Sequence, residues 1–321
     1  MPSQNSQGGT NKIKVSVQKA GPLDTGEIAQ TMKSIKAKFA IMSGKGGVGK
    51  SFVTASLALG FAMRGYRVGI LDADVYGPTI PKLLGLVGAN LYLSEDEKII
   101  PAEGPFGIKV VSMDFLLPTD DTAVIWRGPL VDRAIKDFLG SVVWGDLDAL
   151  FIDLPPGTGD APLTIAQTLA NEMTGSIIVT APSDVSRRIV QKTIDFSRKV
   201  KVPVTGVVEN MCCFYCPDSG KTYYIFGKLI GKEMADKYGI PYLGMIPLDP
   251  RIGESNDQGE PFLMKYSTSD TARAILSIVD TIIAMYKDKL ESRVEAPAKK
   301  QVRSLLKLPG EEEGDKESEN S

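Results

Sequence analysis

The stretch "IMSGKGGVGKSFVTA" at residues 41–55 constrains this chain more than any other. An apolar run ends in a glycine loop of the form G-x-x-x-x-G-K-S, and a helix-forming segment follows at once. Gly44, Gly46, Gly47 and Gly49 free the backbone to turn its N–H groups around a triphosphate, Lys50 can reach the β- and γ-phosphates, and Ser51 can hold Mg²⁺. Strand, loop and helix N-terminus in that order are what anion binding requires.

The rest of the chain repeats that alternation. Short β-branched runs, "KFAIMS", "RVGILD", "IKVVSM", "ALFIDL", "SIIVTA", "VTGVVE" and "YLGMI", are separated by longer helix-like segments such as 50–64, 161–172 and 184–199. The pattern predicts an α/β fold with a mostly parallel sheet and helices on both faces. Several runs are apolar without alternation, as strands buried on both sides are. In the last long helix Ile275, Ile278, Val279, Ile282, Ile283 and Tyr286 share one stripe and read as core. Residues 1–25 and 291–321 are polar and read as flexible tails around a domain at 26–290.

Composition removes several kinds of chemistry. Histidine is absent, which excludes the Ser-His and Cys-His nucleophile pairs and every zinc site that needs imidazole. A net charge of −2 and the lack of a long basic block give no footprint for nucleic acid or an anionic membrane, and no apolar stretch is long enough for a span. A cytoplasmic protein is expected. The only three cysteines lie within "CCFYC" at 212–216, where they suit metal binding or redox chemistry better than a disulfide framework.

Lys45 adds a second cation just after the first loop glycine, giving "GKGGVGKS". This resembles the deviant phosphate loop of the MinD/ParA/iron-protein class of P-loop ATPases, and the resemblance implies that Lys45 reaches the nucleotide of a second subunit. Two carboxylates, Asp72 and Asp74, follow the second apolar run, where ligands bind in open α/β sheets. The class resemblance suggests Asp74 as the group that orients the attacking water, with Asp72 supporting Mg²⁺ through water. The run "LFIDLPPGTGD" closes on Asp153, suited to a Walker-B metal carboxylate, and Gly157 and Gly159 make a loop able to follow the γ-phosphate. Asp160 reads either as a helix N-cap or as part of that switch.

The likeness narrows with "DADVYGPTIPKLLG", "WRGPL" at 126–130, "DLPPGTGDAPLTIAQ" at 153–167 and "VVENM" at 207–211. Over roughly residues 30–285 the chain resembles the Mrp/ApbC family of P-loop ATPases, which carry and transfer iron–sulfur clusters. The resemblance implies ATP binding at Gly44, Lys45, Gly46, Gly47, Val48, Gly49, Lys50 and Ser51, and Mg²⁺ near Ser51 and Asp153. It further implies adenine contact by Asn210, cysteine ligands shortly after that asparagine, and apo iron–sulfur proteins as acceptors. The family pattern is Cys-Pro-x-Cys, whereas here Cys216-Pro217-Asp218 is followed by Ser219.

A C-x-x-C pair is nonetheless present upstream, in Cys213 and Cys216, with Cys212 spare. A [4Fe–4S] cluster usually takes four thiolates, and three cysteines cannot supply them from one chain. A homodimer giving Cys213 and Cys216 from each subunit can, and would also carry each Lys45 toward the opposite nucleotide. Structural zinc, or buried cysteines acting as small hydrophobes, are the other readings of the segment. A positioning ATPase and a cluster-bearing electron-transfer ATPase are the alternative functions.

Overall fold

The computed structural model describes residues 25–116, 128–170 and 172–291. The elements are, in chain order, α1 (Thr25–Lys33), β1 (Ile35–Met42), α2 (Lys50–Met63), β2 (Val68–Asp72), α3 (Ile80–Leu83), β3 (Tyr92–Leu93), β4 (Ile99–Ile100), β5 (Ala102–Glu103), β6 (Lys109–Ser112), α4 (Gly128–Gly140), β7 (Leu147–Asp153), α5 (Asp160–Thr168), β8 (Gly175–Thr180), α6 (Asp184–Lys199), β9 (Val204–Tyr215), β10 (Thr222–Tyr223), α7 (Gly231–Tyr238), β11 (Tyr242–Leu248), α8 (Pro250–Gln258), α9 (Phe262–Lys265), α10 (Asp270–Met285) and α11 (Lys287–Leu290). Residues 1–24 and 292–321, which make up nearly all of the expected tails, lie outside the described residues, as do Trp126 and Arg127 of "WRGPL".

One sheet runs β10-β9-β8-β1-β7-β2-β6-β5, with β11 also paired to β9. The pairs β1/β7, β1/β8, β2/β7, β2/β6, β8/β9 and β9/β11 are parallel, and only the outer short strands β5 and β10 run antiparallel to their neighbours. The parallel register explains the apolar runs: every residue of β2, β7 and β8 is buried, because helices cover both faces. It also places Asp72 opposite Asp153 and Asp153 opposite Ile41, so three strands deliver their chemistry to one edge.

Helix α2 starts directly from the glycine loop and is buried along nearly its whole length. Its Gly60 permits the close approach of α10, since a Cβ there would lie 2.6 Å from Val279 Cγ2. Phe151 packs between Phe39 and Phe61, at ring distances of 5.6 and 5.1 Å. The α10 stripe falls as expected: Ile275, Ile278, Val279 and Ile282 are buried, and Ile283 and Tyr286 pack against the same core.

Local structure refines the expected elements. The helix expected at 161–172 spans Asp160–Thr168 and is capped by Gly159, so Asp160 is its first helical residue and not its N-cap. The Walker-B strand is β7, with three very short strands, β3 to β5, among those that precede it. The run "VTGVVE" continues as strand to Tyr215, since β11 pairs along it as far as Phe214 and β10 then closes a hairpin on Phe214 and Tyr215. Cys212 and Cys213 therefore belong to β9.

Candidate nucleotide site and cysteine hairpin

The phosphate loop lies over the end of β1 with Gly47 and Gly49 at φ 78° and 75°, values that favour glycine. It borders a cleft of about 440 Å³ lined by residues 45–52, Asp74 and Lys82, with Asn256 and Asp257 of α8 on the far wall. Beneath the loop Asp153 is fully buried and accepts from Lys50 Nζ at 2.7 Å and Ser51 Oγ at 2.6 Å on one oxygen, and from Thr54 Oγ1 at 2.6 Å on the other. Ser51 and Asp153 are hard oxygen donors side by side, a set that fits Mg²⁺. Sequence reasoning missed Thr54; its place one helical turn beyond Lys50 was the available signal.

The two carboxylates of the β2 turn differ. Asp74 is nearly buried, 3.8 Å from Lys50 Nζ, and accepts from the Tyr76 N–H at 3.3 Å. Burial pushes its carboxyl above the ordinary range, and the Lys50 charge opposes that shift. Asp72 is wholly buried and holds protein groups on both oxygens: the Asp74 N–H on one, and the Ser112 hydroxyl and Ile80 N–H on the other. Burial, and next the charge of Asp153, push its carboxyl well up. Asp72 thus shapes the turn that presents Asp74. The 157–159 loop is tied to the first strand's end by Gly157 N–H donating to Ser43 O at 2.8 Å.

Asn210, expected at the adenine, sits buried under the phosphate loop with its amide donating to Val48 O at 2.9 Å. The next residue, Met211, has φ 56°, an unfavourable value for a side chain of that size inside a strand. Beyond it the thiols diverge. Cys212 and Cys213 are buried, their Sγ atoms 3.1 Å apart, and the Tyr215 hydroxyl bonds Cys213. Burial, and then the Cys213 thiol, push the Cys212 thiol far up.

Cys216 is half-buried at the hairpin tip. Its sulfur accepts from the Ser219 hydroxyl and from the N–H groups of Ser219 and Asp218, which hold its pKa below that of an ordinary thiol. The turn is closed by Gly220 N–H to Cys216 O and Cys216 N–H to Lys221 O, both at 3.0 Å. The two members of the C-x-x-C pair therefore differ: Cys213 is 3% exposed within β9, whereas Cys216 lies just beyond the strand. Among the described residues no three Cys, Asp or Glu side chains gather into a metal-holding group.

The model of one protein family, described as ParA: NUBPL iron-transfer P-loop NTPase, matches residues 34–283. An iron-sulfur cluster carrier protein of Saccharolobus solfataricus is 54% identical over 257 residues, covering 80% of this chain and 86% of that protein. A protein of Trichoplax adhaerens named cytosolic Fe-S cluster assembly factor NUBP2 homolog is 43% identical over 78% of this chain and 95% of its own length. Among solved structures, a nucleotide-binding protein of Archaeoglobus fulgidus in complex with ADP superposes with a TM-score of 0.68 at 40% identity, covering 78% of this chain and 96% of that one.

Proposed function

The chain belongs to the family of NUBPL-type iron-transfer P-loop NTPases, and from that premise we propose that it is an ATP-dependent carrier of iron–sulfur clusters. Residues 44–51 bind ATP, with Lys50 turning from Asp153 to the phosphates. Ser51 and Asp153 would hold Mg²⁺, which offsets phosphate charge when bound. Asp74, 3.8 Å from Lys50, orients the attacking water. With no histidine in the chain and no strong base lining the cleft among the described residues, hydrolysis is slow.

The cluster is cargo, held across a homodimer and passed to apo iron–sulfur proteins. Cys216 is the first ligand of each subunit. Cys213 is the second, released from Cys212 and Tyr215 on loading. Lys45 of each subunit serves the other's nucleotide. No helix among the described residues is long and apolar enough to cross a membrane. The naming of the NUBP2 relative as cytosolic supports a cytoplasmic location. Neither a membrane nor a nucleic acid is a partner in this reading.

The observation that carries the reading is that one strand, β9, holds Asn210 against the phosphate loop and Cys216 on the hairpin that follows. Anaerobic loading with iron and sulfide tests it. The wild type should take up about four irons per dimer, Cys216→Ala should lose them, and Cys212→Ala should keep them. Retention of iron by Cys216→Ala, or loss in Cys212→Ala with none in Cys213→Ala, would overturn the ligand assignment.

A further inference from the structure

Asp153 presents two oxygens to two different sets of groups. One oxygen takes Lys50 Nζ and Ser51 Oγ, which ATP and its cation draw away in the reading above. Among the described residues, the other takes only Thr54 Oγ1, at 2.6 Å. Thr54 is wholly buried, lies outside the cleft lining, and sits on α2 one turn beyond the loop. Its oxygen is also 3.1 Å from the Lys50 carbonyl, but a hydroxyl has one proton to give. The charged acceptor at the shorter distance takes it.

We infer that Thr54 is a positioning residue for the cation-binding carboxylate: it holds Asp153 in one orientation while the other oxygen exchanges Lys50 and Ser51 for the cation. The need for such a hold is local. Asp72 lies opposite Asp153 in the β2/β7 register, so two acidic groups share one buried edge. A carboxylate left with mobile partners there would be free to turn as Lys50 departs. Thr54 is buried and outside the cleft lining, so its effect on the site must run through Asp153.

This inference rests on the ATP·Mg²⁺ reading of the site, and the experiment separates the two. Binding of a fluorescent ATP analogue is titrated against Mg²⁺, and again in EDTA, for wild type, Thr54→Val, Thr54→Ala and Thr54→Ser. Valine keeps the shape, alanine favours the helix should valine fail to fold, and serine keeps the hydroxyl. Removing the hydroxyl should raise the Mg²⁺ needed for half-saturation about tenfold, while serine stays within about threefold of wild type. Affinity in EDTA should be unchanged.

An unchanged Mg²⁺ requirement in both alanine and valine variants overturns the inference, as does an equal loss of binding with and without Mg²⁺, or a serine variant no better than valine. A wild type whose nucleotide affinity ignores Mg²⁺ overturns the inference and the reading of the site together.

Discussion

The side-chain amide of Asn210 donates to the backbone carbonyl of Val48 across 2.9 Å, tying β9 to the phosphate loop at the point where the loop turns into α2. The same amide nitrogen fills the space a side chain at position 49 would need: a Cβ there would lie 2.3 Å from it. Gly49→Ala should therefore both strain a backbone at φ 75° and displace Asn210, costing about 1–3 kcal/mol and abolishing ATP binding. Thermal unfolding and nucleotide titration read the two losses, and a stable, ATP-binding Gly49→Ala would count against the packing described.

Lys50→Ala and Asp74→Asn should separate binding from hydrolysis. Loss of a charged donor to the phosphates predicts at least about tenfold weaker ATP binding for Lys50→Ala. Asp74→Asn should bind normally and hydrolyse about 100-fold more slowly. Equal loss of binding and turnover in Asp74→Asn would reassign that residue to the metal or to folding.

The three thiols should differ in reactivity with iodoacetamide. Cys216, half-buried at the hairpin tip and held by Ser219, should react first, with a midpoint in its pH–rate profile below that of a free thiol, and Ser219→Ala should move the midpoint upward. Cys212 and Cys213 should react only on unfolding. Mass spectrometry of the labelled peptide decides, and first labelling at Cys212 would contradict the burial seen here.

Acid sensitivity should trace to Asp148 at the start of β7. Burial acts to raise its carboxyl, but hydrogen bonds from Arg67 and from Lys36, the latter at 2.7 Å, outweigh it and hold the group below its usual range. A lowered folded-state value means stabilisation that is present above the unfolded value, near ~3.9, and is lost as pH falls through the folded one. Asp148→Asn should cost about 2 kcal/mol at neutral pH and flatten the acid limb of the stability profile, measured by denaturant unfolding.

Sequence and structure agree most closely where chemistry fixes spacing. The loop at 44–51, the carboxylate of Asp153 and the apolar strands could be read directly, because a phosphate site and a doubly covered sheet each permit few arrangements. Less is legible at the cysteines. "CCFYC" shows a C-x-x-C pair, but only the pairing with β11 and β10 shows that Cys212 and Cys213 lie within the sheet, a tertiary effect that local composition does not encode. Thr54 was overlooked for a related reason: within "KSFVTA" it looks like an ordinary helix residue until the register of β7 brings Asp153 beneath it.

The hairpin that bears Cys216 is a continuation of β9, reached from Asn210 within six residues and roughly 20 Å of extended chain. In the function proposed above, a cargo site built on the sheet itself would have no tether of its own. It would not sweep toward an acceptor as a swinging arm does, so delivery would require the acceptor to come to the hairpin, and a change at the phosphate loop would reach that hairpin along a continuous strand.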